Sequence, residues 1–304
     1  MTTKHSMIKN PIPWPNGARC AVAITFDVDV DSFLHLQRPA DSYKRVSTLS
    51  TLQYDPQIGV PRILQTYREL GLKQTFFVPA WCIERYPDMV AAIVRDGHEV
   101  GHHGYIHEHV NELSEAEERF WLRKAIEIIE RHTGKRPRGF RAPLYNFSPA
   151  TTDLLIDEGF QYDASLMGDD MPYLLRGKKG HLVELPTHWA MDDWPPYVHM
   201  SDIDYVMPIR SPQEAIGVYK AEFDAMWEYG GLVVAVWHPF VTGRLARWHE
   251  TVRFIEYMQA RGGVWFASLE EIAAHVNKVY AKGLVKLREE PMPPYPGPVT
   301  YDKF

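Results

Sequence analysis

Short apolar runs alternate along the chain with segments of helical spacing. Residues 19–26 (RCAVAITF) form a first β run. Residues 59–70 carry apolar side chains at helical spacing and stop at Gly71, and residues 73–78 (KQTFFV) are a second β run. A helix is predicted over 87–96, with proline early and Gly97 just past its end. Residues 98–103 form a third β run. Ser114 precedes Glu117 by three, the capping-box spacing, and opens a helix to about His132 that Gly134 can close. A short strand at 138–141 follows, then a helix from Ser148-Pro149 to near Gly159. Residues 160–165 and 181–185 read as strands. Ser211-Pro212 opens a helix closed near Gly230, and residues 232–237 (LVVAVW) are the most apolar β run. Residues 247–261 are helical and 264–267 are β. Ser268 with Glu271 makes a second capping box before the last helix.

This alternation implies a parallel sheet covered by helices. No glycine-rich phosphate turn follows the first strand, which favours a closed or nearly closed α/β barrel over a dinucleotide-binding sheet. Two long polar connections, 32–54 and 187–210, break the rhythm, and such loops are usually functional or flexible. The tail MPPYPGPVTYDKF is proline-rich yet carries Tyr295, Tyr301 and Phe304. The expected organisation is one barrel domain over 1–290 and an extended tail over 291–304. The tail packs on its own barrel or on a neighbouring subunit, and a homo-oligomer, dimer or tetramer, is expected.

Composition narrows the partners. With 45% hydrophobic residues the chain can bury a large core. Lys+Arg 33 against Asp+Glu 39 gives a net charge of −6 without a basic block, so nucleic acid is not an expected partner. Cys20 and Cys82 are far apart and form no CxxC, which excludes a disulfide framework and a cysteine-rich zinc module. No apolar run is long enough for a membrane span. The opening MTTKHSMIKNPIPWPNG has no apolar segment of the export type, so a cytoplasmic protein is expected.

Candidate chemistry falls at strand ends. Asp27, Asp29 and Asp31 directly follow the first β run, and alternation puts them on one side while the strand lasts. Like charges so close repel, and a cation would resolve the conflict; a solvated turn is the plainer reading. His103 and His107, four apart after the third strand, have the spacing of two side chains on one face of a helical turn. Arg141 follows the fourth strand, Asp163 ends the fifth, and His238 leaves the most apolar one into Pro239. In an α/β barrel these ends form a single face, where catalytic residues gather.

The order Thr25-Phe26-Asp27-x-Asp29, His103-x-x-x-His107, Arg141-x-Pro143-x-Tyr145 and a late strand-end His238 resembles the polysaccharide deacetylase superfamily (carbohydrate esterase family 4), over about residues 14–275. The resemblance implies an irregular (β/α)7-type barrel with a divalent metal, usually zinc. The usual first motif has adjacent aspartates; here Val28 separates them. That spacing, with Trp14-Pro15-Asn16-Gly17-Ala18-Arg19, Asp163-Ala164-Ser165-Leu166 and Glu184-Leu185-Pro186, is similar to a branch of peptidoglycan-deacetylase-like proteins and cyclic imidases. Metal-independent allantoinases are more distant relatives that largely lack the ligands.

Carried over residue by residue, the resemblance implies that Asp29, His103 and His107 ligate zinc and that Asp27, paired with Arg141, is the general base. His238 would be the general acid, with Asp163 tuning it. A backbone N–H near Tyr145 would join the metal in stabilising the oxyanion. Tyr145, Pro143, Trp189 and Trp237 are the expected substrate contacts. A small amide or cyclic imide is the expected substrate, because no export signal is seen and Tyr145, Phe147, Trp189, Trp194, Trp237 and Phe240 make the pocket segments aromatic. The alternative is N-deacetylation of acetylated amino sugars in a glycan. One carboxylate and two histidines also bind iron(II) in oxygenases, but those sites usually sit in all-β folds. A non-catalytic relative with a vestigial site is disfavoured, because Asp27 and His238 are both present.

Overall fold

The computed structural model describes residues 7–295 and 297–300. Its strands are β1 (Cys20–Asp27), β2 (Thr75–Val78), β3 (Glu99–His102), β4 (Gly139–Phe140), β5 (Tyr162–Asp163), β6 (Tyr173–Gly177), β7 (Gly180–Glu184), β8 (His199–Met200), β9 (Tyr205–Val206), β10 (Leu232–Trp237), β11 (Val264–Phe266) and β12 (Glu289–Pro291). The helices are α1 (Ser32–Gln37), α2 (Val46–Leu52), α3 (Val60–Leu70), α4 (Ala80–Arg85), α5 (Pro87–Arg95), α6 (Glu115–Thr133), α7 (Thr151–Asp157), α8 (Trp194–Tyr197), α9 (Pro212–Tyr229), α10 (Pro239–Thr242), α11 (Leu245–Arg261) and α12 (Leu269–Ala281). None of the described helices is long and apolar enough to cross a membrane.

The sheet runs β10-β1-β2-β3-β4-β5-β7 with every neighbouring pair parallel. Antiparallel β6 and then β12 extend it beyond β7, and β11 pairs with the first half of β1. The ends of the parallel array are drawn together by the chain that leaves β7. Thr187 Oγ1 donates to Val234 O at 2.9 Å, and Asp192 bridges Val236. The result is a nearly closed α/β barrel whose seam, among the described residues, is made by side-chain and loop hydrogen bonds and one isolated bridge.

Alternation along the strands sorts the core into two layers. In β1, Val22, Ile24 and Phe26 pack outward with α3, α5, α9 and α11. Ala21 and Ala23 point inward with Val234, Val236, Phe77 and Tyr162. Thr25 and Asp27 share the inward parity, and so does His238 beyond β10. The interior is filled by rings against glycines: a Cβ at Gly139 would lie 1.8 Å from Cζ of Tyr162, and one at Gly101 would lie 2.5 Å from the Phe77 ring. Gly139→Ala is expected to lower unfolding stability by about 1–3 kcal/mol through overpacking, read as a shift of the urea midpoint. An unchanged midpoint would mean that the Tyr162 ring yields freely.

Capping boxes form at Ser114/Glu117 and Ser268/Glu271, as the spacing predicts, and a third forms at Ser211/Glu214. The chain departs from the sequence reading where apolar anchors are sparse. Residues 32–54 are largely helical, as α1, a 3-10 turn and α2, because Phe33, Leu34 and Leu52 are buried beneath a polar surface. The helix expected from Ser148 starts at Thr151, although the Ser148 hydroxyl still accepts from the amides of Ala150 and Thr151 at 3.0 and 3.2 Å. The start of the tail packs in cis: β12 adds to β6, and the Met292 amide donates to Arg176 O at 2.8 Å. Tyr295 is exposed; Tyr301 and Phe304 lie outside the described residues.

Candidate active site and metal centre

The expected strand-end residues converge at one end of the barrel. Asp27 closes β1, and the chain then turns through Val30, which has φ 47°. Three donors hold the Asp29 carbonyl: the Ser32 amide at 3.0 Å, the Ser32 hydroxyl at 2.8 Å and the Cys82 thiol at 3.0 Å. This grip carries Asp29 inward. Asp31 turns away, its carboxylate accepting from Tyr86 Oη at 2.9 Å and lying 3.3 Å from His35 Nε2. The three aspartates therefore do not form one row, because the strand ends before their alternation can continue.

His103 follows β3 directly. Its Nδ1–H donates to Arg141 O at 2.7 Å, which leaves Nε2 as the free nitrogen, 3.4 Å from Asp29 Oδ1. His107 Nε2 lies 3.6 Å from Asp29 Oδ2. The stretch between the two histidines is not a helical turn. Gly104 and His107 have φ 72° and 68°, and the Glu108 carboxylate accepts from the amides of Tyr105 and Ile106 at 2.8–2.9 Å. His102 faces away, its Nε2–H donating to Leu122 O at 3.2 Å.

Asp29, His103 and His107 are all buried and form a group able to hold a metal ion: one ligand atom from each lies within 4.8 Å of the others. The residues fit a cation. Asp29 Oδ1 is buried with no hydrogen-bond partner, and a buried carboxylate oxygen in that state is costly unless a cation or donor meets it. Burial pushes the Asp29 carboxyl up, but His107, His103 and His238 outweigh it and hold the group well below the usual carboxylate range. Burial lowers His107 to about 4, so its imidazole is neutral, the form that ligates.

Base and acid candidates flank this trio. Arg141 is fully buried; its Nη1 donates to Asp27 Oδ1 and to Thr25 Oγ1, both at 2.7 Å, and its Nε donates to Ala164 O at 2.9 Å. Asp27 Oδ2 is thereby left towards His103 Nε2, 3.7 Å away. His238 Nε2 lies 3.6 Å from Asp29 Oδ2 on the far side. Its partner is Asp193, which the sequence reading did not single out. Asp193 Oδ1 accepts from His238 Nδ1–H at 2.7 Å, and Oδ2 accepts from the His238 amide at 2.9 Å and the Thr242 hydroxyl at 2.6 Å. Burial opposes protonation of His238, but Asp193, with Asp29 and Asp192, raises its pKa well above the ordinary histidine value.

These residues open into a cavity of about 440 Å³, whose walls include Phe33, Leu144, Tyr145, Trp189, Trp194 and Tyr205. Tyr145 Oη donates to Asp192, and its ring meets Trp189 edge-on at 4.9 Å. Burial raises Asp192 to about 7.

Three expected residues are elsewhere. Asp163 does not reach His238: its carboxylate accepts from the Ser165 hydroxyl and amide at 2.7 and 3.0 Å, behind Arg141. Trp237 has the outward parity and is fully buried against Tyr219 and Phe26, so it does not line the cavity. Pro143 is buried at the start of a 3-10 turn, outside the lining. The Tyr145 amide itself is already committed to Ala142 O at 2.9 Å. Phe33, Tyr205, Asp192 and Asp193 come from the two long connections, where no periodicity marks them. The only available signal was the Asp192-Asp193-Trp194-Pro195 cluster of polar and aromatic residues in an over-long loop.

The polysaccharide deacetylase family model matches residues 40–162. A peptidoglycan deacetylase from Helicobacter pylori is 30% identical over 282 residues, covering 83% of this chain and 95% of the relative. The chain belongs to the polysaccharide deacetylase superfamily. Within that superfamily, a solved Mycobacterium smegmatis structure assigned to the polysaccharide deacetylases is 38% identical, with TM-score 0.87, over 99% of this chain and 100% of that one. A solved allantoinase is 25% identical with TM-score 0.79, over 92% and 97% of the two chains.

Proposed function

We propose that the chain hydrolyses an amide C–N bond with water, and that its reaction is removal of an N-acetyl group from an amino sugar. The observation that carries the hydrolytic reading is the convergence, in one cavity, of a carboxylate held by Arg141, an imidazole held by Asp193, and the Asp29–His103–His107 trio. The sugar substrate is supported by the peptidoglycan deacetylase of H. pylori, which this chain matches over 95% of that protein's length. This reverses the preference drawn from the sequence, which leaned towards a small imide.

Asp27 accepts the proton of the attacking water at Oδ2, since Oδ1 is tied to Arg141. His238, kept protonated by Asp193, donates from Nε2 to the departing nitrogen. Water adds its oxygen to the acyl carbon, the C–N bond breaks, and acetate and the amine are released. Asp29, His103 and His107 would hold the cation, and their mixed carboxylate–imidazole set suits zinc. When bound, such an ion polarises the carbonyl and lowers the pKa of water towards ~7.

A second reading, hydrolysis of a small cyclic amide or imide, is favoured by the cavity itself. Among the described residues its lining contains no lysine or arginine and is mostly aromatic and aliphatic side chains. The likeness to an allantoinase points the same way. A panel on the zinc-loaded chain separates the two: acetylated chito-oligosaccharides against succinimide, maleimide, hydantoin and allantoin. Acetate release from the oligosaccharides is expected. Turnover of the cyclic amides alone would replace the sugar reading with the second, and no turnover of either class would remove both.

A further inference from the structure

Two segments take no part in the chemistry above: Asp163-Ala164-Ser165, and Glu184 at the end of β7. Asp163 and Glu184 are both fully buried, and they stand opposite each other in the β5–β7 ladder. Burial, with the neighbouring Asp163, pushes Glu184 well above the ordinary carboxylate range, and Glu184 Oε2, buried without a hydrogen-bond partner, is the oxygen left to carry a proton. Asp163 accepts from the Ser165 amide at 3.0 Å and from the Ser165 hydroxyl at 2.7 Å. With its proton given to Asp163, Ser165 Oγ presents a lone pair, and the Ala142 amide donates to it at 2.8 Å. Glu184 Oε1 is itself held by the Leu166 amide at 3.0 Å.

The receiving end of this chain is strained. After Ala142 the backbone passes through Leu144 and Tyr145 at φ 52° and 57°, two consecutive non-glycine residues in the left-handed region. Such conformations persist only where the surroundings over-determine them. Arg141 sits at the entry, gripping Asp27 with Nη1 and Ala164 O with Nε; Tyr145 sits at the exit, bound to Asp192. Residues 163–165 thus hold residues 141–142 from two sides, through Ala164 O and Ser165 Oγ.

We infer that Glu184 donates to Asp163 from Oε2, and that Glu184, Asp163 and Ser165 together form a positioning relay that fixes the Arg141–Tyr145 turn, and through Arg141 the orientation of the base Asp27. The relay rests on the hydrolytic reading above, whichever amide is the substrate. Two of its links have a fixed polarity: the Ser165 hydroxyl donates to Asp163, and the Ala142 amide donates to Ser165.

The test uses the zinc-loaded full chain with Ser165→Ala, Ser165→Thr and Glu184→Gln. Ser165→Ala is expected to lower kcat roughly 10-fold with KM within about twofold, since it misplaces the base without touching the cavity wall. Amide hydrogen exchange across residues 140–146, followed by mass spectrometry, should accelerate in the same variant. Ser165→Thr keeps the hydroxyl and should restore both readouts. Glu184→Gln places an N–H where the acid has its O–H, and should keep kcat and protection near wild type even if Ser165→Ala folds poorly. Unchanged kcat and exchange in Ser165→Ala, or a loss in Glu184→Gln as large as a truncation would cause, would overturn the relay. The exchange readout stands apart from the reaction: a wild-type chain that turns over no amide, with exchange accelerated in Ser165→Ala and restored in Ser165→Thr, would remove the hydrolytic reading and keep the relay.

Discussion

Asp27→Asn is expected to keep the metal and lose turnover by roughly 10²–10⁴-fold, the usual worth of a positioned general base. The substitution preserves volume, and the amide oxygen can still accept from Arg141 Nη1, whose present contact with Oδ1 is 2.7 Å. What disappears is the capacity to take a proton at Oδ2. His238→Ala should show a comparable loss with an acetylated sugar, whose leaving amine needs a proton. The deficit should shrink with imides, whose nitrogen leaves more readily as an anion. Comparing kcat of both variants on an acetylated oligosaccharide and on succinimide reads this difference directly. Near-wild-type rates in both would mean that the proton transfers are carried by other groups.

The second large effect is expected at the metal trio. Asp29→Ala should reduce bound zinc from about one equivalent to a small fraction after gel filtration, because it removes the sole anionic ligand of the group and leaves two imidazoles. His107→Ala should weaken retention less. His103→Ala should do more than lose a ligand, since the His103 Nδ1–H bond to Arg141 O at 2.7 Å also ties the β3 end to the β4 end. Elemental analysis of the purified variants, beside activity with zinc added back, gives the measurement. Full zinc occupancy in Asp29→Ala would place the cation elsewhere, with the Asp192–Asp193–His238 group as the second buried set of suitable side chains among the described residues.

Much of the scaffold was legible because its causes are local. β10 is a continuous apolar run and β1 is apolar but for Thr25 and its final Asp27, and the structure buries both strands at every position. Capping boxes and helix-ending glycines rest on hydrogen bonds and φ angles within a few residues, so Ser114/Glu117 and Gly134 mark α6 without knowledge of the rest of the fold. The strand-end residues Asp27, Asp29, His103, Arg141 and His238 could be grouped because a parallel α/β arrangement places all carboxyl ends on one face. Residues 32–54 were misread as irregular because their helices are held by a few buried side chains, not by a sustained stripe.

Which partner each of these residues takes is a different kind of information. Asp193 grips His238 across 45 positions of chain, and Arg141 reaches Asp27 across 114. Neither spacing has a period, because the pairs are made by the closing of the sheet. Trp237 and His238 are adjacent, yet one enters the outer core and the other the cavity, and the barrel's curvature decides which side is which. Asp163 shows the same limit from the other direction. Its strand-end position was visible in the sequence, but only the ladder that sets it opposite Glu184 turns it from the acid's neighbour into a support behind Arg141. The sequence by itself determined the elements and the residue types available at one face, through periodicity and caps. The tertiary structure alone decided which donors meet which acceptors, because those contacts join segments whose separation along the chain carries no local signal.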